Sequence, residues 1–184
     1  MSGQETKIVI AGFGGQGVVV AGNIIARACV IEGRNVTGMI SYGAEMRGGT
    51  ANATVVISEG EIASPVVETP DMAIIMNQPS LDKFEPVIAG GGLLILNTSL
   101  VDRRPHRDDL RAVQIAASQI AHELGNVRVA NIVALGAFIR KTKLLRPASV
   151  EQAIADLFAS KKAALVELNI RALNEGMARL VEAS

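Results

Sequence analysis

Gly12-Phe13-Gly14-Gly15-Gln16-Gly17 is the first stretch of the chain whose spacing suits a definite chemistry. The G-x-G-x-x-G pattern follows a run rich in β-branched residues, Lys7–Ala11 (KIVIA), and precedes the apolar run VVVAGNIIARACVIEG. It therefore reads as strand, tight loop and helix. Glycines let the backbone turn sharply and approach a ligand. The N–H groups that open the helix carry about half a positive charge, which favours a phosphate. Anion binding is the chemistry expected of Gly12, Gly14, Gly15, Gln16 and Gly17. Two features narrow it. A dinucleotide-binding unit ends its second strand in Asp or Glu for the ribose hydroxyls, and here Ile40, Ser41 and Tyr42 stand at that place. A P-loop continues with Lys and Ser or Thr, but Gly17 is followed by Val18 and Val19, which argues against ATP hydrolysis. The plain alternative is a glycine turn that packs the first helix closely on the sheet.

A second candidate is Ser41–Val55, SYGAEMRGGTANATV, which contains the one tyrosine of the chain. Gly43, Gly48 and Gly49 would let its backbone lie close to another surface. Arg47 offers a planar fork for a carboxylate or phosphate, and Tyr42 an anchor with one polar end. In the competing reading, Glu45 and Arg47 pair with each other or face water. Other chemistry is sparse. His106 sits in a charged loop and His122 in a helix, neither at a ligand spacing from a second His or Cys. Ser41 and Ser99 have no nearby His/Asp arrangement, and Asp108/Asp109 read as a solvated pair. Neither a catalytic set nor a metal site is expected in this chain.

The elements that must position these residues alternate. After the first helix, Asn35–Ile40 reads as a strand and Thr50–Ser58 as extended, with a further short strand in GEIASPVVETP. Asp71–Asn77 is a buried strand, Pro79 opens a short helix through Phe84, and Gly90–Gly92 lead into the strand LLILN. Arg103–Asp109 is a charged surface loop, LRAVQIA a strand and ASQIAHELGN a helix ending near Gly125. Helices follow over Val129–Lys141, Ala148–Ala159 and Lys162–Ala183. Ser149 with Gln152 fits a capping box, and Leu165, Leu168, Leu173 and Leu180 give the last helix an apolar face. This order predicts a single three-layer α/β/α domain over residues 1–184 with a helical C-terminal region. Its central sheet is mostly parallel, and mixed if the run Thr50–Pro65 supplies an antiparallel strand.

Composition sets the limits. Apolar residues are 49% of the 184, and aromatics only 3%, which suits helices packed closely on a sheet buried on both faces. Lys+Arg and Asp+Glu are 18 each, so no long-range field favours nucleic acid. Cys29 is the one cysteine, which leaves no disulfide framework or thiolate set and points to a reducing, cytoplasmic setting. No signal peptide is visible at MSGQETK. The apolar span Ile8–Ile31 is interrupted by glycines, Asn23 and Arg27, so no membrane association is expected.

Taken together and in this order, IAGFGGQGVVVAGNIIARA, SYGAEMRGGTANATVVIS, IASPVVETPD, ILNTSLV, ELGNVRVANIVALGA and NIRALNEG resemble the gamma subunit of 2-oxoacid:ferredoxin oxidoreductases over nearly the whole chain. The segment YGAEMRGGTAN is similar to the 2-oxoglutarate or branched-chain type. A proline commonly stands in that family where this chain has Ile40 and Ala44. The resemblance implies a complex that oxidatively decarboxylates a 2-oxoacid, 2-oxoglutarate first, with coenzyme A to acyl-CoA, carbon dioxide and reduced ferredoxin. It implies thiamine diphosphate, Mg2+ and iron–sulfur clusters on partner alpha and beta chains, with a ferredoxin-like delta chain as a further partner and ferredoxin as acceptor. Under this reading Gly12, Gly14, Gly15, Gln16 and Gly17 face the coenzyme A diphosphate or a partner backbone. Ser41, Tyr42, Gly43, Glu45, Met46, Arg47, Gly48, Gly49, Thr50 and Asn52 dock on the catalytic chains and border the coenzyme A channel. The alternative is a stand-alone nucleotide-binding regulatory module.

Overall fold

A computed structural model describes residues 5–42 and 50–182 of the protein. Among them, seven strands form one sheet in the order β2-β3-β1-β4-β5-β6-β7. The strands are β1 (Thr6–Phe13), β2 (Asn35–Tyr42), β3 (Thr50–Ser58), β4 (Met72–Ile75), β5 (Leu93–Asn97), β6 (Arg111–Ile115) and β7 (Val181–Glu182). The helices are α1 (Val18–Ile31), α2 (Gln78–Phe84), α3 (Ala117–Glu123), α4 (Ala130–Thr142), α5 (Pro147–Leu157) and α6 (Ala163–Arg179). Strands β1, β4, β5 and β6 are parallel. β3 runs antiparallel between β1 and β2, and β7 antiparallel to β6, so the sheet is mixed.

Strand β1 shows why the centre reads as a continuous apolar run. Ile8 and Ile10 enter one core, Val9 and Ala11 the other, and all four are buried. The two cores are unequal. On one face lie α1, α3, α4, α5 and α6; the other is closed by α2, Ile88, Val101 and Leu110.

Two glycines set the larger layer. A Cβ on Gly136 of α4 would run into the Leu173 carbonyl of α6, and one on Gly176 of α6 into the Val133 carbonyl of α4. The two backbones touch where those side chains are missing. The face α6 buries is accordingly Asn169, Ala172, Leu173 and Gly176, with Leu165, Leu168 and Leu180 only partly covered.

The thin face is held by one carboxylate. Glu85 is buried, and its side chain accepts from Arg103 Nη1 at 2.8 Å, from the Arg107 N–H at 2.8 Å and from the His106 N–H. Burial alone would push this carboxyl up; the N–H groups of Arg107 and His106 and the Arg103 guanidinium outweigh it and hold it below the usual range. Arg107 Nη1 in turn donates to the Ile88 carbonyl at 2.6 Å. The stretch expected as a charged surface loop is one, with His106 exposed, and it is also anchored at its base by Glu85.

Three further expectations are corrected. The last helix stops at Arg179 rather than Ala183, because Leu180 turns extended and the chain joins β6 as β7. Ser149 and Gln152 form no capping box. The N-cap of α5 is Arg146 with Pro147 following, while Ser149 lies buried in the first turn, its hydroxyl bonded to Glu32. No strand forms in GEIASPVVETP.

Candidate functional site

Strand β1 is followed by α1 on one face of the sheet, and its parallel neighbour β4 by α2 on the other. The two connections diverge at the carboxyl ends of these strands. This is the switch point at which open α/β sheets leave a crevice for ligands. The glycine loop stands on one side of it and Asn77 on the other.

Gln16 closes the loop from within. Its N–H donates to the Phe13 carbonyl at 3.1 Å, and its Oε1 accepts from the Phe13 N–H at 2.6 Å and from Asn77 Nδ2 at 2.9 Å. Asn77 Oδ1 also caps α2 by accepting from the Ser80 N–H at 3.0 Å. Thus one side chain predicted to face a ligand instead ties the loop to the neighbouring strand. Its Nε2 has no hydrogen-bond partner among the described residues.

The glycines divide into two kinds. Gly17 has φ 73° at the N-cap of α1, and a Cβ there would meet Asn131 Nδ2 at 2.5 Å; Asn131 itself donates to the Gly17 carbonyl at 2.9 Å. A Cβ on Gly12 would meet Gln16 Oε1 at 2.6 Å and Met76 Cβ at 3.0 Å. Both are explained by the fold. Gly15 has φ 92° but open space around it. Gly14 is exposed, lacks a positive φ, and would place a Cβ with nothing within 4 Å. Helix α1 has neither a side-chain cap nor an acidic residue in its first turn, so its partial positive charge is not offset from within the helix.

Buried amides continue the row. Asn97, at the end of β5, donates to the Met76 carbonyl at 3.1 Å and to Ser118 Oγ at 3.0 Å. Asn131, at the start of α4, is buried with its Oδ1 unpartnered. Sequence reasoning missed Asn77, Asn97 and Asn131. The available signal was a lone Asn inside or at the end of an apolar run, since a buried amide needs a partner. The site so described is built of amides, a hydroxyl and backbone N–H groups. It can hold and orient a ligand.

The register of β3 brings the second candidate to the same place. Phe13 lies opposite Thr50, so one end of the intervening segment adjoins the glycine loop, while Tyr42, opposite Ala51, stands one strand further out at the same end of the sheet. Ser41 is exposed and Asn52, opposite it in register, is buried. Gly43, Glu45, Met46, Arg47, Gly48 and Gly49 lie outside the described residues. Among the described residues no group of three or more His, Cys, Asp or Glu is placed to hold a metal, and no helix is long and apolar enough to cross a membrane.

Comparison with known proteins adds four findings. A family model described as pyruvate ferredoxin/flavodoxin oxidoreductase matches residues 7–179. Ketoisovalerate oxidoreductase subunit VorA of Methanothermobacter marburgensis is 38% identical over 174 residues, which is 94% of this chain but only 36% of that relative's length. The 2-oxoglutarate synthase subunit KorC of Methanocaldococcus jannaschii is 36% identical, with 92% of this chain and 91% of the relative covered. In structure, the gamma subunit of a keto/oxoacid ferredoxin oxidoreductase from Geobacter sulfurreducens superposes with a TM-score of 0.84 at 30% identity, covering 95% of each chain.

Proposed function

Because this chain belongs to the pyruvate ferredoxin/flavodoxin oxidoreductase family, as a gamma-type subunit, we propose that it is the non-catalytic gamma subunit of a 2-oxoacid:ferredoxin oxidoreductase. The complex oxidatively decarboxylates a 2-oxoacid, with 2-oxoglutarate favoured, and transfers the acyl group to coenzyme A as ferredoxin is reduced. Thiamine diphosphate, Mg2+ and the iron–sulfur clusters sit on the alpha and beta chains and a ferredoxin-like delta chain. In this reading the gamma chain supplies the glycine loop, with α1's open N-terminus facing the coenzyme A diphosphate, and the segment Ser41–Asn52, which docks on the catalytic chains with Arg47 toward the same channel.

The observation that carries this reading is Gly14. It needs no left-handed backbone and fills no tight space, so nothing among the described residues requires a glycine there. A ligand or partner backbone lying against the loop does. The test is Gly14→Val in the assembled complex. Expected is a roughly tenfold rise in the KM for coenzyme A, the effect of about 1.4 kcal/mol, with assembly and thermal stability unchanged. An unchanged KM would leave the loop a packing element only. Purification of tagged chain from its native cells supplies the check on the complex itself. Recovery of the chain alone, binding a nucleotide tightly, would favour the stand-alone regulatory module.

A further inference from the structure

We propose that the free edge of β2 pairs with a second copy of this chain, joining two sheets across a two-fold axis at Met39. Strand β2 is the terminal strand, so along eight residues its outward N–H and C=O groups have no strand partner among the described residues. Folded proteins blunt such an edge with charge, proline or a bulge. The sequence NVTGMISY carries no charged residue and no proline, and its pairing to β3 runs without a bulge from Asn35 to Tyr42. The edge is built to accept a strand.

Its surface is complementary to itself. Met39 is 47% exposed and Ile40 49%. Cross-strand neighbours share a face, and Gly38 and Ile40 lie opposite Val55 and Ala53, which belong to the core under α1. Met39, opposite Thr54, lies on the other face. Beside Gly38 is a cavity of about 170 Å³ lined by Gly22, Asn23 and Ala26 of α1 and by Gly38, Ile40 and Ala53. Gly38 adds no side chain to it, and its inner end is closed where Gly22 lets α1 come down on Ala53. One strand therefore carries a large apolar side chain and, two residues earlier on the same face, an empty place.

Antiparallel pairing with Met39 opposite its own copy satisfies both. Ile40 of each copy then stands opposite Gly38 of the other and enters the space beside it, while the two Met39 side chains meet on the far face. Thr37 falls opposite Ser41, so no like charges are brought together. A register shift that sets Gly38 opposite Gly38 leaves both cavities empty and both Ile40 side chains displaced from them. The same axis places the two α1 helices on one side of the joined sheet. The row Asn23, Ala26, Val30 on α1 continues the surface, with Val30 65% exposed.

The test uses the full chain. Sedimentation equilibrium at micromolar concentration is expected to give twice the chain mass of 19.3 kDa, with little weakening as salt is raised, because the pairing strand carries no charge. Met39→Lys with Ile40→Lys is expected to weaken association roughly tenfold or more while leaving the thermal transition in place. A monomeric wild type, or a dimer indifferent to both lysines, would overturn the proposal. Met39→Cys gives a second reading that does not depend on how the lysine variant folds. Mild oxidation is expected to yield a covalent dimer, since the one native cysteine is buried. A control cysteine at exposed Val66 is expected to stay monomeric; equal cross-linking of the two would count against the register.

Discussion

At the α4–α6 crossing and in the glycine loop, the chain uses glycine for opposite reasons. Gly136 and Gly176 face each other's helix backbones, and every ångström that a side chain would occupy is already taken by the neighbour. Gly14 and Gly15 have no described atom within 4 Å of where a Cβ would stand, and of the two only Gly15 is held to glycine by its φ of 92°. The first pair and Gly15 are accounted for by the described residues; Gly14 is not. Open space alone does not decide it, since Gly33, Gly91 and Gly125 are equally unfilled but sit at positive φ in turns; an unfilled glycine without a left-handed backbone, as Gly14 is, marks where an outside group fits.

That contrast is open to direct attack, beginning with the crossing. Gly136→Ala or Gly176→Ala forces the two backbones apart and is expected to cost about 3 kcal/mol or more, read as a lowered urea midpoint; a change within error would show the crossing to be adjustable. Next is Glu85, an anchored site of a different kind. Glu85→Ala leaves the Arg103 guanidinium and two loop N–H groups without their acceptor, at about 2 kcal/mol. The same carboxylate predicts the acid response. Its folded-state pKa lies below the ordinary 4.5, so the stability it contributes is present above that value and is lost as pH falls through the lowered one. Urea midpoints at pH 7 and pH 3 should converge between wild type and Glu85→Ala, and parallel curves would exclude the anchor.

Within the loop the same logic separates Gly17 from Gly14. Gly17→Ala must hold φ 73° and displace the Asn131 amide, a cost of about 1–2 kcal/mol, measurable by thermal melting. The smallest effect on folding is expected of Gly14→Val, under about 0.5 kcal/mol, although that variant is the one expected to weaken coenzyme A binding. Should Gly14→Val unfold the protein as readily as Gly17→Ala, the division between filled and unfilled glycines would not hold.

Much of this was legible in the residues. KIVIA, DMAII and LLILN are continuous apolar runs because their strands are covered on both faces, and the glycine loop is announced by its spacing. The hairpin partner β3 was harder to place. Thr50–Ser58 is extended by composition, but nothing in TANATVVIS says that it inserts between β2 and β1, a choice made by pairing across the sheet. Strand β7 left no local signal at all, since Arg179 is drawn to Glu123 on α3 at 2.6 Å and the next residues are claimed by β6. Charge misled in the same way. Glu85 is separated by 18 residues or more from Arg103, His106 and Arg107, so no short window could distinguish an anchored loop from a solvated one. In the site, Gln16 was placed correctly on the loop, but its partner Asn77 lies 61 residues away, and that distance hid the inward turn of its side chain.

Cys29 lies fully buried on the sheet-facing side of α1, and burial pushes its thiol up to about 12. Only the thiolate reacts, so an alkylating reagent meets nothing until α1 leaves the sheet. Because no other thiol competes, the slow modification rate of the native chain is a count of its complete openings. The purified protein therefore carries its own clock for unfolding, one that is read without adding a label to any surface on which a partner would sit.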